Sequence, residues 1–195
     1  MRAVGLVVGK FCPLHRGHQL LIEFAQARCE RLVILSYTKP EFPSCAPAER
    51  ARWLGALYPD TTRLVLDDAA LADFAARTRS EPRRLPDNDA PDDDHRTFVG
   101  WACQAVLGVV VDVVFTSETY GDGFAAALTA FYRAAGLAAH RVDHSCFDLP
   151  RAGAPISGTQ IRRDPAAHRS DMPDVVAASF FRYPAGQARA ASSEA

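Results

Sequence analysis

Two histidines near the start of the chain have the type and spacing best suited to chemistry on a phosphate. His15 and His18 lie in a His-x-Gly-His segment, just after a short apolar run that ends in Gly9-Lys10. The pattern predicts a β-strand leading into a helix whose first turn carries both histidines on one face. A helix N-terminus has unpaired N–H groups and the positive end of the helix dipole, so it favours a phosphate. Together with Lys10, this indicates an enzyme that handles a nucleoside triphosphate; the alternative is two surface histidines in a turn.

A second candidate anion site lies far downstream, in the segment I-S-G-T-Q-I-R at residues 156–162. Ser157 or Thr159 has the side-chain oxygen typical of a helix N-cap. A helix that begins here would direct its first N–H groups and the Arg162 guanidinium at one anion. The alternative interpretation is an ordinary capped helix with a solvated arginine.

The elements that must position these residues alternate between strand and helix patterns. Apolar, β-branched runs predict strands at 3–8, 31–37, 63–66, 109–115 and 141–143. Helical spacing of apolar residues begins at 19 and recurs at 48–58 and 122–135. Such alternation predicts an α/β protein with a parallel sheet covered on both faces. Ligands in these sheets bind beyond the carboxyl ends of the strands, which is where the histidine segment falls.

Composition excludes several classes of function. The chain has 195 residues, 48% of them hydrophobic, and a net charge of -1. We therefore expect a globular domain without the basic surface that a nucleic-acid partner requires. The first residues read as a strand and not as a signal peptide, and no segment is apolar for long enough to span a membrane. A cytoplasmic location is expected.

Five cysteines, an odd number without a C-x-x-C pair, argue against a disulfide framework or a structural zinc site. Cys12 lies beside the candidate site, but no base is fixed next to it by the sequence. The stretch at 80–94 reads as irregular, and its acidic run at 92–94 predicts a solvated loop or a helix start more readily than a cation site. No metal ligands are assigned.

The two motifs together resemble the nucleotidyltransferase superfamily, whose hallmarks are an N-terminal (H/T)-x-G-H and a C-terminal I-S-x-T-x-[IV]-R. The form G-K-F-x-P-L-H-x-G-H at 9–18 is similar to the adenylyltransferase domain of the bifunctional nicotinamide-mononucleotide adenylyltransferase/ribosylnicotinamide kinase. Segments at 50–54, 115–121 and 173–182 agree in order and spacing. The bifunctional proteins continue into a kinase domain, whose P-loop pattern G-x-x-x-x-G-K-[ST] does not occur in this sequence.

The resemblance implies a Rossmann-like, doubly wound parallel sheet in a single domain over residues 1–183, with 184–195 expected to be a disordered tail. It also implies transfer of AMP from ATP to nicotinamide mononucleotide, with Mg²⁺ on the triphosphate, to give NAD and pyrophosphate. The partners would be ATP and a mononucleotide. No covalent enzyme intermediate is needed, so the protein would align two anions and stabilise the charge of the departing pyrophosphate.

The resemblance also implies roles for individual residues. Four are expected to act on the triphosphate: Lys10, His15, His18 and Arg162, with His18 nearest the reacting centre. Other residues expected to bind ATP are Gly9, Phe11, Gly17, Ser117, Ile156, Ser157 and Thr159. Ser117 and Glu118 would lie near the adenine or the ribose.

The acceptor side is less defined by the motifs. Arg50 resembles the relatives' ligand for the mononucleotide phosphate, with a solvated helix arginine as the alternative. Relatives stack the nicotinamide ring on an aromatic side chain, usually tryptophan. Local spacing favours Phe98 for this role, Trp101 is the other candidate, and each could equally be a core residue.

Two other functions stay open at this point. One is an adenylyl- or cytidylyltransferase that acts on another phosphorylated acceptor. The other is a non-catalytic nucleotide sensor, although a sensor need not keep the charge-stabilising set. The oligomeric state is also open, a homo-oligomer included.

Overall fold

The centre of the molecule is a five-stranded sheet in which every pairing is parallel. The computed structural model describes residues 3–118, 120–149, 152–153 and 156–182. The strands follow the order β3-β2-β1-β4-β5. Their bounds are β1 Val4–Gly9, β2 Arg31–Ser36, β3 Thr62–Val65, β4 Val113–Thr116 and β5 Asp143–Cys146.

Helices connect the strands and cover the sheet. They are α1 Arg16–Gln26, α2 Pro47–Leu57, α3 Asp68–Thr78, α4 Asp92–Trp101, α5 Gly121–Ala134, α6 Gly158–Arg163 and α7 Asp174–Phe180. A 3-10 turn at Pro43–Cys45 precedes α2, and α4 continues into a π-helical turn at Ala102–Val106.

Both faces of the sheet are buried, because successive side chains of a strand point to opposite faces. Leu6 of β1 packs with Val33 in one apolar cluster, and its neighbour Val7 packs with Ile34 in a second cluster on the other face. Two covered faces and parallel strands confirm the predicted α/β, doubly wound Rossmann-like sheet.

The largest departures from the predicted strands lie at β4 and β5. β4 begins at Val113 and not at 109, because the amide of Val111 donates to the Tyr132 hydroxyl (3.3 Å) and so does not join the sheet ladder. β5 runs Asp143–Cys146, later than the predicted 141–143. Among the described strands, this one pairs only with β4, and it is partly exposed, so its polar sequence carries little apolar signal.

The acidic run at 92–94 begins a helix, as one of the alternatives to a cation site predicted. Asp92 and Asp93 lie in the first turn of α4 and pair with Arg96 at 2.8 and 3.0 Å. Helix α3 has no counterpart among the helices located from the sequence. Within the described residues, no group of three or more His, Cys, Asp or Glu side chains is placed to hold a metal ion.

All five cysteines are free thiols. In the described part of the chain, no helix has the length and apolar character needed to cross a membrane. The expected end of the domain at 183 and the tail at 184–195 lie outside the described residues.

Candidate active site

The loop between β1 and α1 lies at the carboxyl edge of the central strand. It starts with Lys10, which is exposed, and Phe11, which is fully buried. Phe11 has a φ of 49°, a left-handed conformation that is rare for a non-glycine residue. Its ring packs against the His18 ring at 4.7 Å between centroids. Strain of this kind costs about 1–3 kcal/mol and is typical of functional loops.

The two histidines form the N-terminal cap of α1. His15 is the N-cap residue, and its Nδ1 accepts a hydrogen bond from the amide of Gly17 (3.1 Å). The Nδ1 of His18 accepts from the amide of His15 (3.4 Å), which completes a capping box. Since each Nδ1 accepts a main-chain N–H, it carries no hydrogen, and in the neutral ring the proton sits on Nε2. Both histidines therefore present an Nε2–H donor.

Burial sets the charge of this pair. It lowers the pKa of His15 from 6.5 to about 4, against a weaker opposite effect of Asp171. It lowers the pKa of His18 well below 6.5, and the neighbouring His15 lowers it further. The two rings lie 3.8 Å apart between centroids, so two adjacent charges would also repel. Both side chains are neutral donors at neutral pH.

The downstream motif, residues 156–162, lies next to the loop between β1 and α1. Ser157 caps α6 in a second capping box with Gln160. This fits one of the two cap residues expected from the sequence. The Arg162 guanidinium donates to the carbonyl of Cys12 and to the Thr159 hydroxyl (3.0 Å), and it stacks over the Phe42 ring at 4.1 Å.

Two glycines lie where the two motifs meet, and the approach that requires a glycine is at Gly158. A Cβ on Gly158 would lie 2.8 Å from the carbonyl oxygen of Cys12. A Cβ on Gly17 would lie 3.5 Å from the carbonyl oxygen of Ile156. The segments at 10–18 and 156–162 are thus in contact across more than a hundred residues of chain, as the two anion motifs require.

Two positively charged side chains, Lys10 and Arg162, lie where the segments at 10–18 and 156–162 meet. The pKa of Lys10 is lowered by burial and then by the charge of Arg162. Among the described residues, no carboxylate pairs with either cation at salt-bridge distance. Two neighbouring cations without a carboxylate, next to two neutral N–H donors, form a suitable site for a polyanion.

Arg50 on α2 is fully buried, so the solvated alternative for this residue does not hold. It donates to the hydroxyl of Ser36 (2.9 Å) and forms an ion pair with Glu41 (2.7 Å). Its buried Nε has no partner within the described structure. The Ser36 hydroxyl in turn donates to the carbonyl of Lys10 (3.3 Å), which links Arg50 to the loop after β1.

The two candidate stacking aromatics lie on α4. Phe98 is 5% exposed and contacts Tyr37 edge-on at 5.0 Å, at the carboxyl end of β2. It also lines a surface hollow of about 510 Å³ with Arg83 and Arg84. Trp101 is half-buried, packs edge-on against Phe74 at 5.8 Å and lies under the Arg83 guanidinium.

Sequence reasoning missed a hydrogen-bonded chain that joins the end of β4, a residue within β5 and the start of α5. His144 joins Thr116 and Asp122, both at 2.8 Å. Ser117, an expected ATP-binding residue, directly follows Thr116 and is half-buried. A signal for this chain was available, since Thr116 begins the T-S-E-x-Y-G segment and Asp122 directly follows it, but His144 lies in a strand that periodicity located poorly.

The fold defines an α/β protein with a candidate polyanion site at the carboxyl edge of a parallel sheet. No family model and no curated protein sequence matches the chain. Solved structures do match. A structure of NadR protein in complex with NAD and AMP-PNP has a TM-score of 0.56 at 15% identity, and a structure of NadR protein in complex with NR has a TM-score of 0.57 at 18% identity.

The match covers 90% of this chain but only 46% and 44% of those NadR chains. The chain thus spans less than half the length of the proteins whose fold it shares. The likeness to these NadR structures extends over most of this chain. The resemblance is therefore confirmed at the level of the fold.

Proposed function

We propose that this protein is a nucleotidyltransferase that transfers AMP from ATP to nicotinamide mononucleotide, forming NAD and pyrophosphate. The observation that carries the proposal is the meeting of Lys10, His15, His18 and Arg162 at one edge of the sheet. The likeness to NadR structures with NAD, AMP-PNP and NR bound supports the choice of nucleotide chemistry.

The chain's residues suit an in-line displacement without a covalent intermediate. The two Nε2–H donors are fixed by main-chain hydrogen bonds before any ligand arrives, and such preorganised donors are the most effective at stabilising developing charge. Lys10 and Arg162 would hold the leaving pyrophosphate. Mg²⁺ would enter on the triphosphate oxygens, where it neutralises charge.

Neutral histidines are an advantage in this reaction. A neutral Nε2–H stabilises an oxyanion without holding a proton that must be released later. Because both pKa values lie below neutrality, this state would persist across the physiological range. We assign His18, beside the Phe11 ring, as the donor nearest the α-phosphorus.

A second candidate is a nucleotidyltransferase for another phosphorylated acceptor. The observation that favours it is on the acceptor side: Arg50 is already paired with Glu41, and Phe98 is 5% exposed. A pyridine nucleotide would need at least one of these side chains to become available.

A pyrophosphate-release screen distinguishes these candidates. The purified protein is incubated with ATP or CTP and a panel of phosphorylated acceptors, including nicotinamide and nicotinate mononucleotides. The expected result is release with ATP and nicotinamide mononucleotide, with NAD as the second product. Release with another acceptor alone would favour the second candidate, and no release with any acceptor would reject the transferase.

A further inference from the structure

The imidazole of His144 joins three elements at the carboxyl side of the sheet. Its Nε2 hydrogen-bonds with the hydroxyl of Thr116 at the end of β4 (2.8 Å). Its Nδ1 donates to the carboxylate of Asp122 in the first turn of α5 (2.8 Å). The His144 side chain is 8% exposed, whereas that of Asp122 is 88% exposed. A surface carboxylate therefore orients a nearly buried ring.

Thr116 passes this constraint to the turn that follows β4. Its hydroxyl oxygen lies 2.7 Å from the carbonyl oxygen of Glu118 and accepts a hydrogen bond from the amide of Glu118 (3.4 Å). Thr116 as a whole is 4% exposed. Ser117 lies between the two bonded residues, so its backbone is held by the Thr116 side chain.

The backbone of α5 is shaped to admit the ring. A Cβ on Gly121 would lie 2.0 Å from Nε2 of His144 and 2.4 Å from its Cδ2. Real Cβ atoms do not approach this closely, and glycine is the residue that leaves the space. The ring thus lies directly on the start of α5, wedged between that helix and β4.

We propose that His144 is a positioning residue of the nucleotide site, acting through Thr116 on the turn that carries Ser117 and Glu118. The turn ends β4, the strand next to β1 in the sheet, and therefore borders the loop that carries Lys10 and His15. This inference rests on the proposed function, in which the turn lies against the adenine or ribose of ATP.

Two substitutions of His144 separate its two contacts. His144→Gln can place its terminal amide near the Nε2 position and keep the bond to Thr116. His144→Asn reaches only the Nδ1 position, toward Asp122. We expect His144→Asn to raise the KM for ATP roughly tenfold with kcat nearly unchanged, as the loss of one hydrogen bond implies, and His144→Gln to stay near the wild type.

Thr116→Val provides an independent variant in which the ring is untouched. It should raise the KM for ATP as His144→Asn does, and the double variant should be no worse than either single one, because the two residues act in one chain. Asp143→Asn is the matched control, since this exposed neighbour pairs with Arg141 (3.1 Å) and should leave the KM unchanged.

Hydrogen exchange measured without any nucleotide tests the positioning directly. Peptides containing Ser117 and Glu118 should exchange faster in His144→Asn and Thr116→Val than in the wild type or Asp143→Asn. An unchanged KM and unchanged exchange in both variants would overturn the inference while leaving the proposed function intact. If the wild type released no pyrophosphate, the proposed function would fail, and exchange would still decide whether His144 holds the turn.

Discussion

The contact between the two anion motifs can be tested at Gly158. A Cβ added there would lie 2.8 Å from the carbonyl oxygen of Cys12, a main-chain atom, and 3.1 Å from Nη1 of Arg162. Ordinary contact begins near 3.4 Å, so α6 and the loop after β1 must separate by about half an ångström. Overpacking of this kind costs about 1–3 kcal/mol.

We expect Gly158→Ala to lower the free energy of unfolding by about 1–2 kcal/mol after a small gain in helix propensity. For a domain of this size, that lowers Tm by about 2–8 °C. The displaced Arg162 should also bind the triphosphate less well, so the KM for ATP should rise more than kcat falls. Thermal unfolding and pyrophosphate release on the same preparation measure both effects.

Gly55→Ala is the matched control, because this glycine lies inside α2 and a Cβ there meets nothing within 4 Å. The same substitution should raise stability at Gly55 by about 0.5–1 kcal/mol and leave the KM unchanged. If Gly158→Ala behaved like Gly55→Ala in both assays, the inferred close approach of α6 to the Cys12 carbonyl would be wrong.

Three further predictions follow from the same site. His18→Ala should lower kcat about a hundredfold or more while the fold persists, with Tm lowered by a few degrees because the His15 amide loses its capping partner; a near-normal kcat with ATP and the true acceptor would remove His18 from catalysis. Arg162→Ala should raise the KM for ATP. Arg50→Ala should weaken binding of the acceptor nucleotide, and it should also lower Tm because it leaves Glu41 without its partner. Equal effects of the two variants on both substrates would contradict this division. Burial lowers the pKa of His15 to about 4, so the unfolded chain alone takes up a proton below pH 6.5; the histidine's contribution is complete above pH 6.5 and should fall by on the order of 3 kcal/mol by pH 4. Chemical denaturation of the wild type and His15→Gln over this range measures the loss, and identical pH dependence would refute it.

The central sheet and the two anion motifs were accessible from sequence because their signals are local. β1 and β2 are continuous apolar runs, buried on both faces, and their predicted positions agree with the structure to within a residue at each end. The capping boxes at His15 and Ser157 also depend only on residues close together in the chain.

Other parts of the site depend on contacts that no local pattern records. An arginine on a helix is usually exposed. Arg50 is buried because it bonds to Ser36 and Glu41, which lie on separate segments of the chain. The chain of Thr116, His144 and Asp122 joins a strand end, an edge strand and a helix start. No spacing rule pairs such residues before the topology is known.

The docking of α6 has a consequence for the order in which the molecule assembles. α6 has six residues, too few to be stable as an isolated helix, so it depends on contacts such as that of Arg162 with the loop after β1. The contact between Arg162 and Cys12 joins residues 150 positions apart in the chain. Closing a loop of that length carries a large entropic cost that must precede any gain from the contact. Segment 156–163 should therefore be among the first parts to detach in partial unfolding and the most protected from proteolysis when ATP is added. Nucleotide binding would then stabilise the contact between the loop after β1 and α6.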